Sequence, residues 1–283
     1  MEAFDPRTTL AREDLAEQSL EGIVPARAYR AAQPLQCVVA SASIRNAPDL
    51  SGEQLDQLVF GEVFQALERR GDWVWGQARR DGYVGWVAAS SLEETVLAPT
   101  HRVSAIRTFA FPAPDMKSAP PAVLTLNSLV TVEAREGRFV KLARSGWVVE
   151  AHLADFGTFE TDPAAVAERH LGAPYQWGGR ESLGLDCSGL VQQALFACGR
   201  ACPRDADMQE AETGTEIDAG AGYANLRRGD LVFWKDHVAV MVDPTTVIHA
   251  NGHHMQVVME PLAEVVARNR ASGMGEPVRF RRL

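Results

Sequence analysis

Three side chains in the second half of the sequence have the types and spacing for nucleophilic catalysis: Cys187, His237 and His249. Cys187 stands where a Gly-rich loop, Trp177 to Gly184, gives way to a helical pattern. A helix start places unpaired N–H groups and positive dipole charge beside such a sulfur. A free thiol has a pKa of about 8.5 and is only a few per cent thiolate at neutral pH, so it needs an imidazole to take its proton. His237 and His249 lie twelve residues apart, on two strand-like runs joined through Asp243-Pro244-Thr245-Thr246. An odd-numbered hairpin loop puts both on one face, whereas a two- or four-residue loop separates them. A loop centred on Asp243 sets them directly opposite, and one centred on Pro244 sets them diagonally. On a shared face, His237 takes the thiol proton and His249 orients its ring.

The other candidates read differently. A cysteine at a helix start is, taken alone, more often a small buried hydrophobe than a nucleophile, and Cys198 on the apolar stripe of the same helix fits that role. Cys198 and Cys202 are too loosely spaced for a metal site and no second pair accompanies them, so no metal or organic cofactor is expected. His253 and His254 follow a glycine and read as a solvated turn. His101, His152 and His170 stand alone, which predicts surface or satisfied roles.

The elements that must position these residues follow from the pattern. Asp162 is the expected N-cap of a helix over 162–172, with Pro163 at its first position. Ser188 to Cys198 carries Leu190, Val191, Ala194 and Leu195 at helical spacing, with Gly199 as its stop. Residues 200–228 read as a long polar loop. LVFW (231–234), HVAVMV (237–242), TVIHA (246–250) and MQVVME (255–260) read as strands. Helix first and antiparallel meander after is an α+β layout.

Upstream the texture is all-β. Short strand-like runs from Gln36 onward are separated by Gly, Asp, Asn and Pro. Gly71-Asp72-Trp73-Val74, Gly85-Trp86-Val87 and Leu92 recur as Gly137-Arg138-Phe139-Val140, Gly146-Trp147-Val148 and Leu153. Two divergent copies of one β unit of about 60 residues explain this. Before them, about Arg12 to Leu20 reads as a short acidic helix. The expected division is an N-terminal helix and linker over 1–30, β units over 31–97 and 98–156, and an α+β unit over 157–283.

Composition narrows the function classes. The chain has 283 residues, 46% hydrophobic and 23% charged, the balance of a globular protein. No apolar run approaches the ~18 residues of a membrane span, so no membrane partner is expected. A formal net charge of -9 disfavours a phosphate backbone as partner. Four cysteines are too few for a disulfide framework. The opening, MEAFDPRTTLAREDLAEQSLEG, lacks the basic start and apolar stretch of an export signal, which implies a cytoplasmic location.

Five short motifs then occur in order: Tyr175-Gln-Trp177-Gly-Gly179, Asp186-Cys187-Ser188-Gly189-Leu190-Val191, Gly229-Asp230-Leu231-Val232-Phe233, His237-Val238 and Ile248-His249-Ala250. Over about residues 162–262 the chain resembles the NlpC-type cell-wall peptidases, a papain-like group. The resemblance implies a Cys-His-His triad matching Cys187, His237 and His249. Pro203-Arg204-Asp205 and Gln209 also resemble the loop that follows the family's catalytic helix. One departure is Ala239, where the family usually has Gly. The upstream units resemble bacterial SH3-like barrels.

This arrangement resembles the muropeptide-recycling branch, which cuts the γ-D-glutamyl bond to a diamino acid and requires a free N-terminal L-Ala. On that basis Asp186 and Ser188 are candidates to meet the substrate ammonium, with Tyr83 and Glu53, and Asp56 behind them, from the first SH3-like unit. Asp186 reads equally well as a helix N-cap, and Tyr83 as core or turn packing. Trp177 is placed to wall a groove or pack its loop, and Tyr175 to assist the oxyanion beside the Cys187 N–H. A papain-like amidase or acyltransferase working through a thioester stays open as an alternative, as does a non-catalytic peptide-binding protein.

Overall fold

The computed structural model describes residues 4–119 and 122–283. Two compact units divide at Phe156 and Gly157. The N-terminal unit is built almost entirely of strands. Its largest sheet has seven, in the spatial order Gln54–Val59, Ser41–Arg45, Val84–Ala88, Trp73–Ala78, Val63–Arg70, Gln33–Cys37 and Leu92–Glu93. Cys37, Ile44, Leu58, Phe64, Val74 and Val87 fill its core. Gly76 and Gly85 face each other across neighbouring strands. A Cβ on Gly76 would lie 2.2 Å from the Gln65 carbonyl oxygen, so this close backbone approach requires glycine.

The repeat seen in sequence has a structural counterpart. A single 3₁₀ turn, Ala89–Ser91, leads from Trp86 to Leu92, and another, Glu150–His152, leads from Trp147 to Leu153. Gly71 and Gly137 turn their hairpins with the same positive φ of 58°. The second β segment has its own core of Val103, Leu124, Val130, Val140, Leu142 and Val148, into which Phe60 of the first segment also packs. The two segments therefore share one compact unit. The larger sheet is an open series of strands with ends at Gln54–Val59 and Leu92–Glu93.

The expected helix over Arg12 to Leu20 is not formed. Ala16–Glu17 is instead a short strand paired in parallel with Tyr29–Arg30, and Gln18–Leu20 is a 3₁₀ turn. A helix of nine residues is marginal by itself, because helices below ~12–15 residues need tertiary support. Here the packing favours an extended chain: Leu10 and Leu15 insert among Leu67, Trp75, Val84 and Trp86. The Arg12 guanidinium lies 4.0 Å over the Trp75 ring and pairs with Glu68 at 2.7 Å.

The C-terminal unit is α+β. It contains α1 (Pro163–Glu168), α2 (Cys187–Ala197), α3 (Ala206–Glu212) and α4 (Leu262–Ala271). A short hairpin of Arg180–Glu181 and Gly184–Leu185 precedes α2, and six further strands follow: β1 (Thr215–Glu216), β2 (Leu231–Trp234), β3 (His237–Met241), β4 (Thr246–Asn251), β5 (Gln256–Pro261) and β6 (Arg279–Arg282). They form one sheet in the order β1-β6-β2-β3-β4-β5. Val232, Trp234, Ala239, Met241 and Val247 pack against Leu262, Val265 and Val266 of α4. Helix α2 packs on β3 and β4 and is buried along its whole length. No helix among the described residues is long and apolar enough to cross a membrane.

Two expectations for this unit need correction. Residues 200–228 are not one loop, since they hold α3 and β1. The tail is not a meander alone, since α4 and β6 follow β5. The first difference has a physical origin. Arg204 and Gln209 are buried polar residues tied to α2, so the segment folds around hydrogen bonds that hydrophobic periodicity does not report.

Candidate active site

Asp186 is the N-cap of α2: its Oδ1 accepts from the Gly189 N–H at 2.8 Å. Cys187 is therefore the first residue of the helix, within the turn whose N–H groups have no partner inside the helix. Gly189 permits this start, because a Cβ there would lie 2.2 Å from the Gly179 carbonyl oxygen. Gly178, at φ 68°, turns its N–H onto Asp186 Oδ2 at 2.9 Å. The two glycine-bearing motifs of the sequence are thus two sides of one tight contact that sets the height of the sulfur.

Asp186 has further partners. Arg204 pairs with both of its oxygens, at 3.0 and 2.6 Å, and also donates to Ser188 Oγ at 2.8 Å. Ser188 Oγ donates in turn to Asp186 Oδ1 at 3.2 Å. The structure thus gives Asp186 the capping role and commits Ser188 to the same net. Five donors already converge on the Asp186 carboxylate, so an incoming ammonium would have to displace one. Gln209 closes the net by donating to the Ser188 carbonyl at 3.0 Å and the Pro203 carbonyl at 2.9 Å.

The histidines meet as the odd-loop geometry requires. Val240 pairs with Ile248 and Met241 with Val247, which centres the hairpin on Pro244. The same register makes His237 diagonal to His249 on one face, and His237 Nε2 is 2.8 Å from His249 Nδ1. Asp243 Oδ1 shapes the turn by accepting from the N–H groups of Thr245 and Thr246. Cys187 meets the start of β3, where the Val238 N–H faces its sulfur.

Burial dominates the electrostatics. It pushes the Cys187 thiol up to about 12, helped by the neighbouring Asp186 charge and opposed by the N–H groups of Val238 and Ser188. It pushes His237 down to about 3 and lowers His249, the latter opposed by Glu260. Burial thus favours the neutral thiol and the neutral imidazole over their charged forms. Burial also raises the Tyr175 hydroxyl well above its ordinary value, and the charges of Cys187 and Asp186 add to this. Tyr175 thus stands within electrostatic reach of the sulfur. Trp177 is 61% exposed, so most of its surface faces solvent.

Glu53, Asp56 and Tyr83 all belong to the N-terminal unit, where Glu53 is exposed and Asp56 is buried. Tyr83 is only 4% exposed, in keeping with its packing reading, and lines a cavity with Arg45, Asn46, Trp75 and Trp86. No disulfide joins any of the four cysteines. His101 pairs with Asp155, His152 with Thr108 and His170 with the Val166 carbonyl. His254 is not merely solvated: its Nε2 lies 3.1 Å from Glu260 Oε2.

Glu260 is the residue that sequence reasoning misses. Its Oε1 lies 2.8 Å from His249 Nε2, and Arg268 of α4 grips both its oxygens at 2.6 and 2.8 Å. Strand pairing sets Glu260 opposite Val247, two residues from His249 on the same face. Its signal is a lone acid closing the apolar run MQVVME, which periodicity alone reads as a strand end.

A cysteine at the start of a buried helix, packed on a sheet that carries two hydrogen-bonded histidines, defines a papain-like cysteine hydrolase site. Comparison with known proteins agrees. The sequence profile of the NlpC/P60 family matches residues 172–275, and that of the bacterial dipeptidyl-peptidase Sh3 domain matches residues 44–92. Dipeptidyl-peptidase 6 of Lysinibacillus sphaericus is 25% identical over 243 residues, 76% of this chain and 86% of that protein. The gamma-D-glutamyl-L-lysine dipeptidyl-peptidase of Bacillus subtilis is 28% identical over 220 residues, 69% of this chain and 71% of that protein. The crystal structure of an NlpC/P60 family protein from Bacillus cereus shares the fold with a TM-score of 0.74, at 19% identity, over 88% of this chain and 99% of that one. The chain carries an NlpC/P60 domain behind a bacterial SH3-type domain, and it is a cysteine peptidase.

Proposed function

We propose that this peptidase hydrolyses the γ-D-glutamyl bond to a diamino acid in short peptidoglycan peptides that carry a free N-terminal L-Ala, and that it serves muropeptide recycling in the cytoplasm. One observation supports this reading above others. The likeness to the two dipeptidyl-peptidases runs over 243 and 220 residues, well beyond the segment 172–275, so it takes in the β-rich residues as well as the peptidase fold.

In the proposed reaction His237 takes the Cys187 proton as the sulfur attacks the γ-carbonyl carbon. The Cys187 N–H, with the Tyr175 hydroxyl nearby, steadies the oxyanion. The C–N bond then breaks, the His237 imidazolium returns its proton to the leaving amine, and a thioester remains. Water, deprotonated by His237, releases L-Ala-D-Glu and restores the thiol. No step uses a metal or an organic cofactor.

The free amine is the specific part of this reading. Cleavage of L-Ala-γ-D-Glu-diaminopimelate is expected to exceed that of its N-acetylated form by about 100-fold in kcat/KM. That corresponds to about 2–3 kcal/mol, the worth of a charged hydrogen bond that the ammonium makes and the acetylated nitrogen does not. Equal rates for the two peptides would remove the amine requirement and with it the recycling role.

A further inference from the structure

We propose that Glu260 is a positioning residue for this reaction: gripped by Arg268, its carboxylate fixes the tautomer of His249 and thereby the His237 nitrogen that receives the thiol proton. The proposal rests on the peptidase reading of the site and deepens it.

The chain of hydrogen bonds leaves one consistent arrangement of protons. Arg268 donates to both Glu260 oxygens, so the carboxylate is ionised and accepts only. Its Oε1 lies 2.8 Å from His249 Nε2, which places the ring proton of neutral His249 on Nε2. His249 Nδ1 then carries a lone pair. That lone pair, 2.8 Å from His237 Nε2, accepts a proton held there. His237 is left with a bare Nδ1, the only ring nitrogen free to act as base. The opposite tautomer would set a lone pair of His249 against the carboxylate and put the His237 lone pair on the nitrogen that faces His249.

One contact competes. Asn251 Nδ2 is 3.0 Å from His249 Nε2, while its Oδ1 accepts from the His254 N–H at 2.8 Å. The carboxylate is closer and carries a full charge, so it takes the proton. Burial works in the same direction. Glu260 is 9% exposed, and although burial alone would raise its carboxyl, hydrogen bonds from His249, Arg268 and His254 hold it well below the ordinary range. It stays ionised across the working pH. When His237 becomes an imidazolium, a fixed negative charge two hydrogen bonds away stabilises it. The groups that face Glu260 are His249 from β4, His254 from the turn before β5 and Arg268 from α4. Those around His237 are His249 and the Trp234 ring, with the charges of Arg268 and Glu260 acting on it from farther off.

Two measurements test this. Nitrogen-15 spectra of histidine-labelled wild-type protein at neutral pH, without substrate, are expected to show His249 protonated on Nε2 and bare on Nδ1, with the His237 proton on Nε2. A proton on His249 Nδ1 overturns the proposal. Glu260→Gln is expected to lower kcat by about 10–100-fold with KM unchanged within about twofold, since Glu260 does not touch substrate. Loss of the carboxylate disfavours the imidazolium and leaves Arg268 uncompensated beside it, so the acid limb of kcat/KM should move to lower pH. Wild-type kcat, or a fall in kcat with an unmoved acid limb, assigns Glu260 to tying β5 to α4 and overturns the proposal. If the variant does not fold, the wild-type spectrum decides alone. Failure of the wild-type protein to cleave the tripeptide counts against the peptide substrate, and the substrate-free spectrum stands apart from it.

Discussion

Cys187→Ala is expected to lower turnover of the free tripeptide by on the order of 10,000-fold or more, which is what removal of a covalent nucleophile costs. None of the other cysteines can substitute. Cys37 is in the core of the N-terminal sheet, Cys198 caps the far end of α2, and Cys202 points its sulfur at the Pro203 carbonyl. The fold should tolerate the change. Alanine is the best helix former, so it suits the first position of α2, and only one buried sulfur is lost. The melting temperature should stay within a few degrees, which separates a chemical loss from an unfolded protein. Undiminished cleavage by the folded variant would sink the assignment of Cys187.

Arg204→Met carries the largest expected effect on stability. Arg204 is 1% exposed and the side chain of its partner Asp186 is 9% exposed. Methionine fills much of the same volume but leaves the Asp186 carboxylate buried with three donors where it had five. Removing one partner of a buried pair costs about 3–5 kcal/mol, because the other charge stays desolvated. That is a large share of a stability of about 5–15 kcal/mol. Thermal unfolding should therefore show a fall of about 10 °C or more, read on the transition that includes α2. The double variant Arg204→Met with Asp186→Asn should recover part of the loss, since no buried charge is then stranded. A single variant that melts like wild type would show that the pair adds nothing to the helix start.

How much of this was legible in sequence differs between residues for physical reasons. The start of α2 was legible because the Asp186 side chain, the Ser188 hydroxyl and the Gly189 N–H meet within one turn, and local chemistry is written locally. The pairing of His237 with His249 was legible because strand register is arithmetic, and the odd-loop condition is met with the hairpin centred on Pro244. The N-terminal segment was not, because Leu10 and Leu15 answer to Trp75 and Trp86 some sixty residues away. Helix α4 left a readable trace, with Leu262, Val265 and Val266 at helical spacing, yet it follows β5 with no loop between. Glu260 was least legible. Its partners His249 and Arg268 lie eleven residues before and eight after, and nothing in a period of two or 3.6 marks the acid that joins them.

The net charge of -9 fits the same account. It is a poor match to an anionic polymer as partner. The central claim is that Cys187 carries the acyl group. Mixing the protein with L-Ala-γ-D-Glu-diaminopimelate, quenching in acid within the first turnovers and weighing the intact chain tests it most directly. The account predicts a mass gain equal to the L-Ala-γ-D-Glu acyl group, mapped to the peptide that contains Cys187 and released by hydroxylamine. Steady cleavage with no adduct on that peptide under any quench time would contradict it.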